Sequence, residues 1–289
     1  MSKTPPSNGI VYFDGQWHSG NPQVVGPASN AVWMASAVFD GARAFDGVAP
    51  DLDLHCARAV RSARIVGLEP AISADEIEAL AWVGIGRMPA GIALYVCPMF
   101  YGETGFISPE PESTRFALII RESPLPPPDG FSACLSSFRR PATDMAPTEA
   151  KASSLYPNVA RALREAKARN FDTAVMLDPD DFVAEFAYAN LFMVKGGIVH
   201  TPLPNGTFLN GITRQRVIKL LLDADVPVVE RSLKFEELGG ADELFGTGNY
   251  YKVAPCSRLD DQTFEYGPIC RKARELYFDF ARTCTKPNA

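Results

Sequence analysis

Lys151 stands in Glu149-Ala-Lys-Ala-Ser-Ser-Leu-Tyr156, between a proline-bearing loop and a stretch that reads as a helix. A Schiff-base amine needs such a position, at the edge of a rigid element and partly withdrawn from water so that it can lose its proton. Taken alone, a lysine in a loop is more often a solvated charge. Tyr156, five residues on, could donate a hydrogen bond to a phenolate-like oxygen, although local spacing favours an aromatic on the core face of a helix. Glu185 lies in the apolar run Val183-Ala-Glu-Phe-Ala-Tyr-Ala-Asn-Leu-Phe192. An acid there is costly to bury unless it meets a cation, such as a protonated ring nitrogen. An acid at a strand edge facing water fits the same local pattern.

Three further elements have the composition of an anion site. Asn210-Gly-Ile-Thr-Arg214 leads into a helical pattern, and the free backbone N–H groups and positive dipole end of a helix start suit a phosphate monoester. Without context Thr213 reads as an N-cap. Gly246-Thr-Gly-Asn249 follows a strand and could supply a second nest of N–H groups. Arg58, in His55-Cys-Ala-Arg58, could clamp a phosphate, whereas arginines on amphipathic helices mostly face water.

The elements that must position these residues fall on either side of Glu122-Ser-Pro-Leu-Pro-Pro-Pro-Asp-Gly130. Four prolines in five positions favour a stiff extended connector and exclude a helix or a central strand. The expected organisation is a small N-terminal domain over 1–121, a linker over 122–130 and a larger C-terminal domain over 131–289. Ahead of the linker, Ile10–Phe13 and Gln16–His18 flank the hairpin signal Asp14-Gly15. Leu54–Val66 reads as a helix with Leu54, Ala57 and Ile65 on its apolar face, and Ala74–Trp82 as a second, with Ser73 and Glu76 forming a capping box. Ile92–Phe100 and Phe116–Ile120 read as strands. Beyond the linker the strands expected are Ala133–Phe138, Thr173–Leu177, Leu191–Val194 and Ile198–Thr201 around Gly196-Gly197, Val228–Glu230 and Glu243–Phe245. Helices are expected over Val159–Lys167, Thr213–Leu222 and Pro268–Ala281. The class is mixed α/β (α+β).

The chain has 289 residues, 46% hydrophobic and 21% charged, with a net charge of −6, a balance that argues against a nucleic-acid surface. No apolar stretch is long enough to span a bilayer, and the start MSKTPPSNG lacks the apolar region of a signal peptide. Six scattered cysteines without a Cys-x-x-Cys pair, and three distant histidines, give no metal-ligand spacing. Buried, reduced thiols of a cytoplasmic protein are the expectation.

Each motif is weak singly, and their order is specific. Val38-Phe-Asp-Gly-Ala-Arg43, His55-x-x-Arg58, Lys151-Ala-Ser-x-x-Tyr156, Glu185-x-x-x-x-Asn190-Leu-Phe, Gly211-Ile-Thr-Arg214 and Gly246-Thr247 together resemble the class IV aminotransferases, the fold-type IV pyridoxal-phosphate enzymes. The resemblance runs from about Tyr12 to Phe280 and is nearest to the branched-chain amino-acid aminotransferases. It implies pyridoxal 5'-phosphate held as a Schiff base on Lys151, which would also shuttle the substrate's proton. It implies Glu185 on the pyridine nitrogen, Tyr156 on the ring oxygen, Asn190 beside the cofactor, and Arg58, Ile212, Thr213 and Thr247 on the phosphate. Phe39, Arg43, Tyr95, Cys97 and Gly248 would line the substrate pocket between the domains, and the family implies a homodimer at least.

Three departures bear on the substrate. Trp33-Met34-Ala35 replaces the usual His-Tyr-Gly, Glu185-Phe186 replaces Glu-Gly, and Cys97 stands where a carboxylate-binding arginine is common. Arg43 is the local substitute for that arginine. The implied reaction moves an amino group between a hydrophobic amino acid and a 2-keto acid. The alternatives are an (R)-amine or D-amino-acid transaminase, a lyase of the aminodeoxychorismate type, and a binding protein that kept the fold without catalysis.

Overall fold

The computed structural model describes residues 8–287; most of the polar start discussed above lies outside them. The chain forms two compact units. The first comprises 1–125, 150–154 and 281–289, and the second 126–149 and 155–280. Two segments expected in the C-terminal domain, 150–154 and 281–289, therefore group with the first unit, and one of them contains Lys151.

In the first unit β1 (Gly9–Phe13) and β2 (Gln16–Ser19) form a hairpin. Its turn residues Asp14 and Gly15 both have positive φ, 47° and 79°, which the right-handed twist of a two-residue hairpin requires. There follow α1 (Asn30–Trp33), β3 (Ala37–Phe39), β4 (Ala42–Ala44), α2 (Leu52–Ile65), α3 (Ala74–Ile85), β5 (Leu94–Gly102) and β6 (Thr114–Glu122). The sheet runs β2-β1-β6-β5-β3, with β4 also on β5. β3 and β4 are two pieces of one edge, interrupted at Asp40-Gly41, where the Asp40 amide donates to the Pro98 carbonyl at 2.9 Å. A Cβ on Gly41 would lie 2.6 Å from the Tyr95 hydroxyl oxygen, so any larger residue there would displace the Tyr95 ring.

α2 and α3 pack on this sheet. The capping box of α3 forms as its sequence predicts: Ser73 Oγ accepts from the Glu76 amide at 3.3 Å, and Glu76 Oε2 from the Ser73 amide at 2.8 Å. The face of α2 corrects the expectation. Leu54 and Ile65 are exposed, and the buried side carries Leu52, His55, Cys56, Arg58, Ala59, Ser62 and Ala63. Small residues let the helix approach the sheet closely, and the polar pair is buried because an acid meets it there.

The second unit contains β7 (Phe131–Leu135), α4 (Tyr156–Ala168), β8 (Thr173–Leu177), β9 (Val183–Phe186), β10 (Asn190–Lys195), β11 (Ile198–Pro202), α5 (Ile212–Asp223), β12 (Val228–Arg231) and α6 (Phe235–Leu238). β13 (Glu243–Gly248), β14 (Lys252–Leu259), β15 (Gln262–Thr263) and α7 (Pro268–Thr283) follow, the last running on into the first unit's segment after Phe280. The sheet order is β12-β11-β10-β13-β14-β7-β8-β9, with β15 on β14. The parallel pairs β7–β8 and β11–β12 are linked through α4 and α5, as parallel neighbours require a crossover. Central strands β10 and β13 are buried almost throughout, and Phe192 stacks on Phe245 between them at 4.9 Å. Sequence reading missed β14, whose Lys252 and Pro255 disguise a strand buried over most of its length. Gly246-Thr-Gly is part of β13 rather than a turn after it.

Candidate active site

In the first unit Lys151 is mounted by its backbone. Its amide donates to Ser62 Oγ on α2 at 3.0 Å, its carbonyl accepts from the Phe39 amide at 3.2 Å, and the next residue, Ala152, bridges Val38. Residues 150–154 thus extend the β3 edge. The side chain is half-buried, with Nζ 5.2 Å from the centre of the Phe39 ring. Two of the expected site residues, Lys151 and Phe39, are brought together in this way.

Beside them Asp40 is fully buried and fully bonded. It accepts from Arg58 Nε at 2.5 Å and Nη2 at 2.9 Å, from the Gly41 amide at 2.7 Å, and pairs with His55 Nδ1 at 2.7 Å. Burial alone would raise its pKa, but Arg58 and His55 outweigh burial and hold the carboxyl well below the usual carboxylate range. Arg58 is therefore engaged bidentately with Asp40. Sequence reasoning missed Asp40, although it lies inside the quoted Val38–Arg43 motif. The available signal was His55 and Arg58 at i, i+3, which share one helix face and need a buried acid.

Arg43, Tyr95 and Cys97 lie on a common face of the first sheet, since Arg43 pairs with Tyr95 in register and Cys97 is two residues further along β5. Arg43 is 1% exposed and donates to Ser123 Oγ at 2.5 Å and the Pro124 carbonyl at 2.9 Å. It anchors the start of the proline-rich segment, so the expectation that it substitutes for the missing carboxylate-binding arginine gains no support from its geometry. Burial pushes the Cys97 thiol up to about 12, which keeps it neutral.

In the second unit Glu185 lies on the buried strand β9 and not at a water-facing edge. Its Oε1 is 3.4 Å from Arg140 Nε, and its Oε2 accepts from Asn190 Nδ2 at 3.2 Å. Arg140 also donates to the Thr207 carbonyl at 3.2 Å; no sequence signal distinguished it from the other loop arginines. Asn190 Nδ2 further reaches the Leu209 carbonyl at 3.0 Å, tying the carboxylate to the loop before α5. Tyr156 opens α4 and is half-buried rather than part of the core.

α5 begins at Ile212 with Gly211 as N-cap and no side-chain cap; Thr213 is the second helical residue, not the cap. With a glycine there, nothing from the cap side chain competes for the first amides. α5 packs on β13, where Thr247 pairs in register with Asn190. Thr247 is completely buried, and its hydroxyl has no hydrogen-bond partner among the described residues. An orphaned buried hydroxyl and an uncapped helix start are the donors a phosphate ester would satisfy. Gly248, next to Thr247, is half-buried beside Ala189. Arg214 locks this region, donating to Asn210 Oδ1 at 2.9 Å, the Pro202 carbonyl at 2.8 Å and Glu230 at 2.6 Å.

Comparison with known proteins identifies the class of enzyme to which a chain with these residues in its two units belongs. The model of the family described as amino-transferase class IV matches residues 37–259, and the chain belongs to that family. It is 30% identical to the branched-chain-amino-acid aminotransferase of Pseudomonas aeruginosa, over 98% of this chain and 96% of the relative. Among solved structures, an aminotransferase from Brucella abortus bound to the cofactor PLP has 49% identity and a TM-score of 0.94, covering 95% of this chain and 99% of that one. The branched-chain aminotransferase of Thermoproteus uzoniensis with norvaline has 30% identity and a TM-score of 0.87, covering 94% and 95%. The fold is accordingly the fold-type IV aminotransferase architecture.

Proposed function

We propose that the chain is a pyridoxal-phosphate-dependent aminotransferase that moves an amino group between a hydrophobic, branched-chain-type amino acid and a 2-keto acid. The carrying observation is the mounting of Lys151, whose backbone is fixed on both sides while its amine is held over Phe39. The Brucella abortus relative with PLP and the Thermoproteus uzoniensis relative with norvaline support the cofactor and the apolar substrate side. Pyridoxal phosphate, when bound, supplies an aldehyde to join the amine and a ring that draws electrons from the bond being broken.

The chain's own residues would do the rest. In the first unit Lys151 Nζ attaches the cofactor and carries the proton to and from the substrate's α-carbon. Asp40 and His55 orient Arg58, which contributes to the phosphate. Phe39, Tyr95 and Cys97 form a substrate-facing surface, and Arg43, on the same face, is tied to Ser123 and Pro124 at its margin. In the second unit Glu185, oriented by Asn190 and balanced by Arg140, holds the proton on the pyridine nitrogen. Tyr156 donates to the ring oxygen, the Ile212 and Thr213 amides with the Thr247 hydroxyl hold the phosphate, and Gly248 leaves room for substrate.

A homodimer or larger homo-oligomer is supported by the exposed apolar side chains of Trp33, Met34, Phe106 and Ile107, since such patches mark interaction surfaces. Six cysteines without a disulfide among the described residues support a cytoplasmic setting.

The test is borohydride trapping of pyridoxal phosphate followed by peptide mapping, alongside assays with leucine, valine and isoleucine as donors and several 2-keto acids as acceptors. The expected result is label on the Lys151 peptide, matched formation of both products, and loss of label and turnover in Lys151→Ala. A Lys151→Ala protein that still traps the cofactor would overturn the assignment, and product formed without an acceptor would make the enzyme a lyase.

A further inference from the structure

Directly opposed residues of antiparallel strands point to one face, as do residues two apart on a strand. Arg43 on β4, Tyr95 on β5, Arg121 on β6 and Gly9 on β1 therefore form a cross-strand row, with Cys97 on the same face. Phe39 pairs with Met99, two residues beyond Cys97, so the aromatic ring beneath Lys151 belongs to this face too. The two arginines of the row differ in state. Arg43 is buried and donates to Ser123 and Pro124. Arg121 is exposed, with its guanidinium 5.3 Å from the centre of the Tyr95 ring, and it has no carboxylate or hydrogen-bond partner for its side chain among the described residues. Gly9 leaves its outer flank uncovered; a Cβ there would come within 3.0 Å of Arg121 Cβ.

We propose that Arg121 is the specificity residue that receives the distal carboxylate of a dicarboxylic 2-keto acid acting as amino acceptor. The proposal rests on the aminotransferase reading above and names the acceptor class of that same site. Cys97 is a neutral thiol and cannot pair with a carboxylate, and Arg43 is committed elsewhere. Exposure is what makes Arg121 suitable. A buried, fixed guanidinium would be stranded without a partner whenever an apolar side chain filled the pocket. A solvated one, stacked on Tyr95, loses little when left alone and still makes paired hydrogen bonds when a carboxylate arrives. One surface can then take an apolar side chain in one half-reaction and a dicarboxylate in the other.

The experiment compares kcat/KM for 2-oxoglutarate and for 4-methyl-2-oxopentanoate, with holoenzyme of the wild type, Arg121→Gln, Arg121→Lys and, as a control on the same strand, Arg115→Gln. Calorimetric titration with glutarate, an unreactive dicarboxylate, accompanies it. In Arg121→Gln the ratio of the two kcat/KM values should shift against 2-oxoglutarate by about 30-fold, the scale of a lost hydrogen-bonded charge contact. Glutarate affinity should fall by a similar factor, Arg121→Lys should recover part of both, and the control should show neither change. An unchanged ratio, or unchanged glutarate binding, overturns the role of Arg121. Absence of turnover with every donor and acceptor overturns the aminotransferase reading instead, and the glutarate titration still decides whether Arg121 binds a dicarboxylate.

Discussion

Asp40 illustrates how one buried charge organises a site it need not touch. Its carboxylate gathers Arg58, His55 and the Gly41 amide, and so fixes the turn beside Phe39 as well as the orientation of the guanidinium. Removing one partner from such a buried pair leaves the other charge uncompensated, at a cost of about 3–5 kcal/mol. Asp40→Asn should therefore be destabilised by that order near neutral pH, as read by denaturant unfolding. The sign of the pH dependence follows from the depressed pKa. The stabilisation is fully present above the unfolded-state value of about 3.9 and is lost as pH falls from there towards the lower folded value. The gap between wild type and Asp40→Asn should shrink as pH falls below about 4, near that unfolded pKa, whereas at higher pH the paired His55, charged only when protonated, adds its own dependence. A gap that keeps its full size well below about pH 4 would show that the carboxylate is not the group responsible.

At the scale of elements, the start of α5 shows how a strand, a loop and a helix share one side chain. Asn190 on β10 donates to Glu185 on β9 and to the Leu209 carbonyl ahead of the helix, and Gly211 lets its carboxamide lie against the N-cap. A Cβ on Gly211 would sit 2.1 Å from Asn190 Oδ1, and the amide cannot turn away without giving up both bonds. The φ of −60° at Gly211 is one any residue can adopt, so the effect of Gly211→Ala isolates the collision from backbone strain. We expect a stability loss of about 1–3 kcal/mol, the range for losing a buried hydrogen bond, and cofactor affinity about tenfold weaker as the helix start shifts. An unaltered melting temperature together with an unaltered cofactor titration would refute it. The same comparison shows what was legible. The capping box Ser73–Glu76 and the Asp14-Gly15 hairpin are local chemistry, and they appear where the sequence places them. The buried side of α2 was misread, because Leu54 and Ile65 outrank His55 and Arg58 on any hydropathy pattern. Only the tertiary partner Asp40 reverses that order. Glu185 could be named as an acid in need of a cation, whereas Arg140, 45 positions earlier in the chain, could not be chosen from sequence.

At the scale of the whole molecule, the two units are not two stretches of chain. The path changes unit at 125/126, 149/150, 154/155 and 280/281, and the short excursion 150–154 is the one that carries Lys151. Composition marks the first change, through the prolines, but the excursion is five residues without a composition shift, which is why a boundary at the linker was all the sequence could suggest. The consequence is that the lysine is held by residues far from it in sequence: Val38, Phe39 and Ser62. A fragment of residues 126–289 contains Lys151 but none of these partners, so the peptide bond after it should open to trypsin, because local protection reflects the free energy of the contacts that close it. Arg214, 1% exposed and bonded within the second unit, supplies an internal reference for whether the fragment has folded. With cleavage followed by mass spectrometry, the ratio of cutting after Lys151 to cutting after Arg214 should rise at least about tenfold in the fragment relative to the intact chain, the equivalent of losing about 1.4 kcal/mol of local protection. Adding a separately made fragment of residues 1–125 should restore the original ratio. If Lys151 stays as protected in the isolated fragment as in the full chain, its setting is local to the second unit, and the division of the chain at 149/150 and 154/155 is wrong.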